Sequence, residues 1–204
     1  MKGPVGTYNA PAAVTFAGLA LALSAVLLSW HGQHALAVVA LVWAGICDLL
    51  DGWVARRRPR SAVEQSFGLQ IDSLVDMAAF GMTPWLVLLH GGRDGPWDMA
   101  AYLAYAAAAA MRLAHFNRSR LDGELPASHT QGLPVTYAAL VFPLVLLAEG
   151  WLAENVLAVL LRATVAGLAV LFVLPVPLPK PRGGAYAVFA GLAVVLTWLW
   201  LARA

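Results

Sequence analysis

Long apolar segments separated by short polar turns run the length of this chain and constrain its fold more than any other feature. Hydrophobic residues make up 61% of the 204 positions and charged residues only 12%, whereas a soluble domain carries about a quarter charged residues. A helix of about 20 apolar residues, rising 1.5 Å per residue, crosses the hydrocarbon core of a bilayer. The sequence therefore predicts an all-α, polytopic transmembrane helix bundle with about six to eight spans.

Seven segments are apolar enough to be spans: residues 12–30, 35–55, 67–90, 97–116, 133–148, 155–174 and 184–201. The last of them follows a proline-rich run at 175–181, which cannot be regular helix. We expect one integral membrane domain over residues 1–204. The first apolar segment lacks the pattern of a cleaved signal peptide, so we expect it to be retained as a helix. The single cysteine, Cys47, excludes an intrachain disulfide.

Basic residues are distributed unevenly between the two ends of the predicted spans. One end carries most of them: Lys2, Arg56, Arg57, Arg58, Arg60, Arg112, Arg118, Arg120, Lys180 and Arg182. Only Arg93 and Arg203 fall clearly at the other end, and Arg162 lies inside a span. The positive-inside rule makes the first end cytoplasmic. We expect an integral protein of a prokaryotic inner membrane.

Four aspartates lie where the second predicted span ends and the third begins. Asp48 and Asp51 are three residues apart and share one helix face, and Asp72 and Asp76, four apart, share another. The short loop makes the two spans antiparallel neighbours, so we expect the four carboxylates to converge near the cytoplasmic surface. Charges at a bilayer are costly unless they are neutralised. Oxygen ligands of this kind favour Mg²⁺, Mn²⁺ or Ca²⁺.

Metal ions held by these aspartates would suit phosphate chemistry. Two divalent ions can clamp a pyrophosphate and stabilise charge on the attacking and leaving oxygens. Gly52 and Gly68 leave room for a ligand against the backbone, and Arg56 can pair with a phosphate. An aspartate that is spared from full coordination can act as a general base. A cation transporter is the alternative from another class, although no acidic residue falls in mid-span to relay an ion.

The spacing of these residues resembles the signature of the CDP-alcohol phosphotransferases, also called CDP-alcohol phosphatidyltransferases. The pattern is D-x-x-D-G-x-x-A-R at 48–56, followed by G-x-x-x-D-x-x-x-D at 68–76. Members of this family are membrane enzymes that displace CMP from a CDP-linked donor with an alcohol. Eleven residues separate Arg56 from Gly68, where the family commonly has about eight. We expect the extra residues to lengthen the loop and to leave the site intact.

Further segments resemble the phosphatidylserine synthase branch of that family. They are FGLQIDSLVD at 67–76, MRLAHFN at 111–117, GLP at 132–134 and the proline-broken run at 173–180. His115 stands where the branch usually has arginine, and Ala12 stands where the family's opening motif usually has asparagine. The similarity touches most of the chain, but only the aspartate signature is highly specific.

The resemblance implies roles for particular residues. The expected ligands of one or two Mg²⁺ or Mn²⁺ ions are Asp48, Asp51, Asp72 and Asp76. Asp76 is also the expected general base. The residues expected to line the CDP-donor site are Thr15, Gly52, Ala55, Arg56 and Gly68. The candidates for binding the acceptor are Arg112, Asn117, Arg118 and Lys180.

The same resemblance implies the reaction and the partners. We expect transfer of the phosphatidyl group from CDP-diacylglycerol to the hydroxyl of L-serine, with release of CMP. Glycerol phosphate, inositol phosphate or choline stays open as the acceptor, because the residues of an acceptor pocket are dispersed along the chain. A homodimer embedded in membrane lipid is implied as well, and we expect no nucleic-acid partner.

Overall fold

α-Helices form nearly all of the regular structure in the part of the chain that the computed structural model describes, which is Gly6 and residues 9–57, 59–122, 129–179 and 183–203. In chain order the helices are α1 (Ala10–Trp30), α2 (His34–Arg56), α3 (Ala62–Asp76), α4 (Thr83–His90), α5 (Pro96–Leu121), α6 (Ala138–Leu146), α7 (Glu154–Val173) and α8 (Ala185–Leu201). A π-helical turn, Met77–Met82, joins α3 to α4, and a 3₁₀ turn, Val135–Tyr137, leads into α6.

Each of the seven predicted spans corresponds to a helical segment among the described residues. Four are long and apolar enough to cross a membrane by length and composition: α1, α2, the continuous unit Ala62–His90, and α7. The apolar helices Val135–Leu146 and Ala185–Leu201 are shorter, and α5 carries several charged residues. The prediction of an all-α integral membrane bundle is confirmed.

The third span begins earlier than the hydropathy pattern predicts, at Ala62 instead of residue 67. The Ser61 hydroxyl accepts a hydrogen bond from the Glu64 N–H at 3.2 Å, and the Glu64 carboxylate accepts one from the Ser61 N–H at 2.9 Å. This capping box satisfies two backbone donors and starts the helix. Only residues 57–61 lie between α2 and α3. Most of the residues between Arg56 and Gly68 therefore lie in α3, and the effect of the extra residues on the loop stays a prediction.

Two short strands, β1 (His129–Gln131) and β2 (Pro177–Pro179), form an antiparallel ribbon that the sequence did not predict. The ribbon links the entrance of α6 to the exit of α7. Gly132 follows β1 with φ of +70°, and a Cβ at this position would overlap the carbonyl oxygen of Phe172. Both facts require glycine at this turn.

Small residues let the first two helices pack closely. Ala22 and Ala25 of α1 and Ala37 and Ala44 of α2 are all fully buried, and close approach of small residues is how helices associate in membranes. α2 also contacts α6 and α8, while α5 packs against α7. α2 is therefore the central helix, and its two aspartates lie near its C-terminal end.

Candidate active site

Three of the four signature aspartates converge at one point. Asp48 from α2 and Asp72 and Asp76 from α3 each offer one carboxylate oxygen, and these oxygens lie within 4.8 Å of one another. Hard cations bind oxygen at about 2.0–2.6 Å, so oxygens around one ion lie within roughly twice that distance. Asp76 is buried and the other two are half-buried, and carboxylates this close repel each other unless a positive charge separates them. The geometry and chemistry of this cluster, called the triad below, fit a divalent ion.

Asp51 lies beside the triad but outside it. Its Oδ2 accepts a hydrogen bond from the Thr15 hydroxyl of α1 at 2.5 Å, and the carboxylate is buried. The structure thus joins two predicted site residues, Thr15 and Asp51, in a contact that the sequence did not predict. Asp51 still lines the cavity that contains the triad.

Two further side chains interact with the triad. The Thr136 hydroxyl, on the 3₁₀ turn, donates to Oδ2 of Asp48 at 2.8 Å. Arg112 of α5 is buried and lies close enough to interact electrostatically with all three triad carboxylates. Its guanidinium carbon also lies 5.1 Å from the ring centre of Phe116. Arg112 therefore offsets part of the negative charge, while Thr136 orients Asp48 as an outer-shell partner would.

Two cavities meet at these residues. The first, of about 200 Å³, contains the triad and has an apolar side between α2, α6 and α8 formed by Val42, Ile46, Leu49, Leu140 and Phe189. The second, of about 620 Å³, opens between α1, α2, α3 and the C-terminal end of α5. Both are lined by Asp51, Gly52, Arg56, Asp72 and Phe116. A ligand with a polar and an apolar part could occupy both, with its junction beside the triad.

All five residues predicted to line the donor site border the second cavity: Thr15, Gly52, Ala55, Arg56 and Gly68. A Cβ on Gly52 would lie 3.4 Å from Nη1 of Arg56, and one on Gly68 would lie 3.5 Å from Nη1 of Arg60. The two glycines therefore present bare backbone to guanidinium groups. Arg60, interpreted from the sequence as a topology signal, and Arg120 also line this cavity. With Arg56 they offer three guanidinium groups that can pair with an anionic ligand, beside the carboxylates of Asp51, Glu64 and Asp72.

Arg56 is held at the boundary between the two cavities. Its Nη2 donates to the hydroxyl of Tyr186, which comes from α8 and lines the first cavity. Nothing in the sequence pattern links these two residues, which are 130 positions apart.

The residues predicted to bind the acceptor lie in different parts of the structure. Arg112 lines the first cavity with the triad. Asn117 accepts a hydrogen bond from the Ser73 hydroxyl at 2.8 Å, and Arg118 is exposed. Because α5 extends to Leu121, both lie on the helix, and neither lines the first or the second cavity. Lys180 lies outside the described residues.

Comparison with known proteins identifies the family of the chain. The family model for CDP-alcohol phosphatidyltransferases matches residues 8–204. The chain belongs to the CDP-alcohol phosphatidyltransferase family. It is therefore a transferase of phospholipid synthesis, and the prediction of this family is confirmed. The alternative of a cation transporter is not supported.

Individual members of the CDP-alcohol phosphatidyltransferase family are similar over much of the chain. The CDP-diacylglycerol–serine O-phosphatidyltransferase of Mycobacterium tuberculosis is 32% identical over 201 residues, covering 90% of this chain and 68% of that protein. The Helicobacter pylori (strain J99) protein of the same name is 31% identical over 144 residues, covering 70% and 59%. The archaetidylserine synthase of Methanothermobacter thermautotrophicus is 30% identical over 115 residues, covering 56% and 47%.

Proposed function

We propose that this protein is a CDP-diacylglycerol–serine O-phosphatidyltransferase. The observation that carries the proposal is the triad of Asp48, Asp72 and Asp76 beside two adjoining cavities, one lined by three arginines and the other with an apolar side. The names of the relatives support serine as the acceptor alcohol. The two cavities suit the two parts of the donor, because a CDP group is anionic and a diacylglycerol group is apolar.

The donor would bind with its nucleotide in the second cavity. Thr15, Ala55 and Gly68 would line the cytidine and its phosphates, and Gly52 would let the pyrophosphate approach the backbone. Arg56 would pair with a phosphate oxygen as a planar fork. To do so, it would exchange its hydrogen bond with Tyr186 for one to the ligand.

The signature aspartates would hold one or two Mg²⁺ or Mn²⁺ ions, through Asp48, Asp72 and Asp76, with Asp51 as a further ligand once it is released from Thr15. When bound, such an ion polarises the phosphoryl oxygens and stabilises the charge that develops on them. Thr136 would keep Asp48 in its ligating orientation.

Serine would enter beside Arg112, whose guanidinium would pair with the serine carboxylate. Asp76 would take the proton of the serine hydroxyl as a general base. The serine oxygen would form the new bond to the phosphorus of the phosphatidyl group, and the bond from that phosphorus to the bridging pyrophosphate oxygen would break. CMP would leave with the electron pair of that bond.

The proposal extends to location and assembly. The chain would form one membrane domain over residues 1–204 in a prokaryotic inner membrane, with the triad at the cytoplasmic surface. Two copies of the chain would form a homodimer. Serine and CMP would then stay in water, while the acyl chains stay in lipid.

The experiment is a CMP-release assay with purified protein in detergent, CDP-diacylglycerol, and either Mg²⁺ or Mn²⁺. Serine is compared with glycerol phosphate, inositol phosphate and choline as the acceptor. We expect CMP only when the divalent ion and serine are both present. Release with a different alcohol would overturn the choice of serine and keep the reaction type, and no release with any of them would overturn the transferase chemistry proposed for this site.

A further inference from the structure

The third span changes helix type directly after Asp76. The turn Met77–Met82 is π-helical, with α-helix on both sides. Such turns are rare and are frequently found at functional sites. Pro84 gives a physical reason for this one. In a regular α-helix the carbonyl of Phe80 would accept from the N–H of residue 84, but proline has no N–H and its ring clashes with that carbonyl.

Side chains satisfy the backbone carbonyls of this π turn. An unpaired carbonyl is costly in the apolar interior of a membrane protein. Three carbonyls of this turn accept a hydrogen bond from a side-chain hydroxyl or indole N–H: Ala78 from Thr83 at 3.0 Å, Gly81 from Trp85 at 3.0 Å, and Phe80 from Tyr105 at 2.6 Å. The Ala78 carbonyl also accepts from the backbone N–H of Thr83. The carbonyl that loses its partner to Pro84 is thus the one that Tyr105 satisfies.

Tyr105 differs from the other two donors because it comes from another helix, α5. Its side chain is fully buried, and its ring centre lies 5.2 Å from that of Phe172 and 5.9 Å from that of Phe142. These contacts fix the ring, so the hydroxyl holds the π turn at a set position against α5.

The π turn is connected to the triad in two ways. It continues directly from Asp76, and it packs against the 3₁₀ turn whose Thr136 donates to Asp48. Each residue of an α-helix turns the chain by about 100°, so a change of one residue in the winding would rotate Asp76 well away from Asp48. The π turn therefore determines which face of α3 is directed toward α2.

We propose that Met77–Met82 is a positioning element for the triad and that Tyr105 is the positioning residue that holds it, through the carbonyl of Phe80. The proposal rests on the proposed function, because it takes the triad to be the metal-binding and reacting centre. Tyr105 itself lines neither of the two cavities at the site.

The test compares Tyr105→Phe with Tyr102→Phe. Tyr102 lies on the same helix, is also buried, and donates its hydroxyl to the carbonyl of Arg93 at 3.0 Å, at the far end of α5. Both variants lose one hydrogen bond, which is buried for Tyr105 and partly buried for Tyr102, and both keep the ring. The readouts are Mn²⁺ binding to the purified protein by electron paramagnetic resonance, the Mn²⁺ concentration for half-maximal CMP release, and the thermal unfolding temperature.

We expect Tyr105→Phe to bind Mn²⁺ about tenfold more weakly, at the low end of the 10- to 100-fold loss typical when an outer-shell partner is removed. Its half-saturating Mn²⁺ concentration should rise in parallel. Tyr102→Phe should lower the unfolding temperature by a similar amount and leave Mn²⁺ binding unchanged. Equal Mn²⁺ affinity in the two variants, or no Mn²⁺ binding by the unmodified protein, overturns the proposal.

A second pair keeps the test decisive if Tyr105→Phe does not fold. Thr83→Val removes the hydroxyl that donates to the Ala78 carbonyl, and Thr83→Ser keeps it. Weaker Mn²⁺ binding in the valine variant alone supports the positioning role, and equal binding in both overturns it. The proposed function fails separately, if the unmodified protein releases no CMP. In that case, Mn²⁺ binding by the variants still decides the positioning role.

Discussion

Asp76 is the most buried aspartate of the triad, with only 8% of its surface exposed. We expect Asp76→Asn to abolish nearly all CMP release while donor binding is partly kept. The amide has the same shape as the carboxylate, but it carries no charge for a metal ion and cannot accept a proton at neutral pH. The measurements are CMP release and binding of CDP-diacylglycerol to the purified variant.

Asp94→Asn is the matched control for this change, because Asp94 is exposed in the turn between α4 and α5. It should retain full activity. An Asp76→Asn protein that elutes as a folded species and still turns over at the normal rate would refute the role of Asp76.

The sequence predicted the residues of the site better than their individual contacts. The i, i+3 and i, i+4 spacings were enough to bring Asp48, Asp72 and Asp76 together, because two adjacent antiparallel helices leave few other arrangements. Spacing cannot tell that Asp51 turns toward Thr15. Nor can it find Thr136, which lies 88 positions from its partner Asp48, since that contact exists only once α6 packs against α2.

Among the helices and strands, the start of α3 shows most clearly that local sequence can mark a helix boundary that the hydropathy pattern misses. Hydropathy alone placed the boundary near residue 67, where the apolar run begins. The pattern Ser61-x-x-Glu64 is a capping-box signature and would have placed it at Ala62. The π turn and the β1–β2 ribbon had weaker signals. Pro84 indicates an irregularity at the π turn. The strand β2 has proline at both ends, so its sequence does not show a strand pattern.

The capping box predicts a specific effect of mutation. Ser61→Ala should destabilise the protein by about 1 kcal/mol, which corresponds to a fall of roughly 2–4 °C in unfolding temperature for a chain of this size. The first turn of α3 borders the second cavity through Ala62, Glu64 and Gln65. Fraying there should therefore raise the KM for CDP-diacylglycerol more than it lowers kcat.

Ser61→Asp is the control, because aspartate is also a good N-cap acceptor. It should keep both the unfolding temperature and the KM close to those of the unmodified protein. If the alanine and aspartate variants lose stability equally, the cap does not start this helix. The measurements are thermal unfolding in detergent and steady-state CMP release over a range of donor concentrations.

Across the whole molecule, the two ends of the bundle have different chemistry. The end with the triad has two cavities and a cluster of arginines. At the other end, charged groups pair with each other: Arg93 with Glu154 at 2.5 Å, and Arg162 with the buried Asp98 at 2.5 Å. Arg93 and Arg162 are thus tied to acids, while Arg56, Arg60, Arg112 and Arg120 line the cavities near the triad. The positive-inside rule predicts that the end with the triad faces the cytoplasm.

That orientation can be tested with single cysteines, since Cys47 is the only native one. In a Cys47→Ser background, Pro59→Cys lies in the exposed α2–α3 connection and Asp94→Cys in the exposed turn at the opposite end. If the triad faces the cytoplasm, a membrane-impermeant maleimide should label Asp94→Cys in intact spheroplasts and should label Pro59→Cys only after lysis. CMP release by both variants shows that the cysteines leave the fold intact. Labelling of Pro59→Cys from outside would put the triad on the external surface, where cytoplasmic serine and CDP-diacylglycerol could not meet at it.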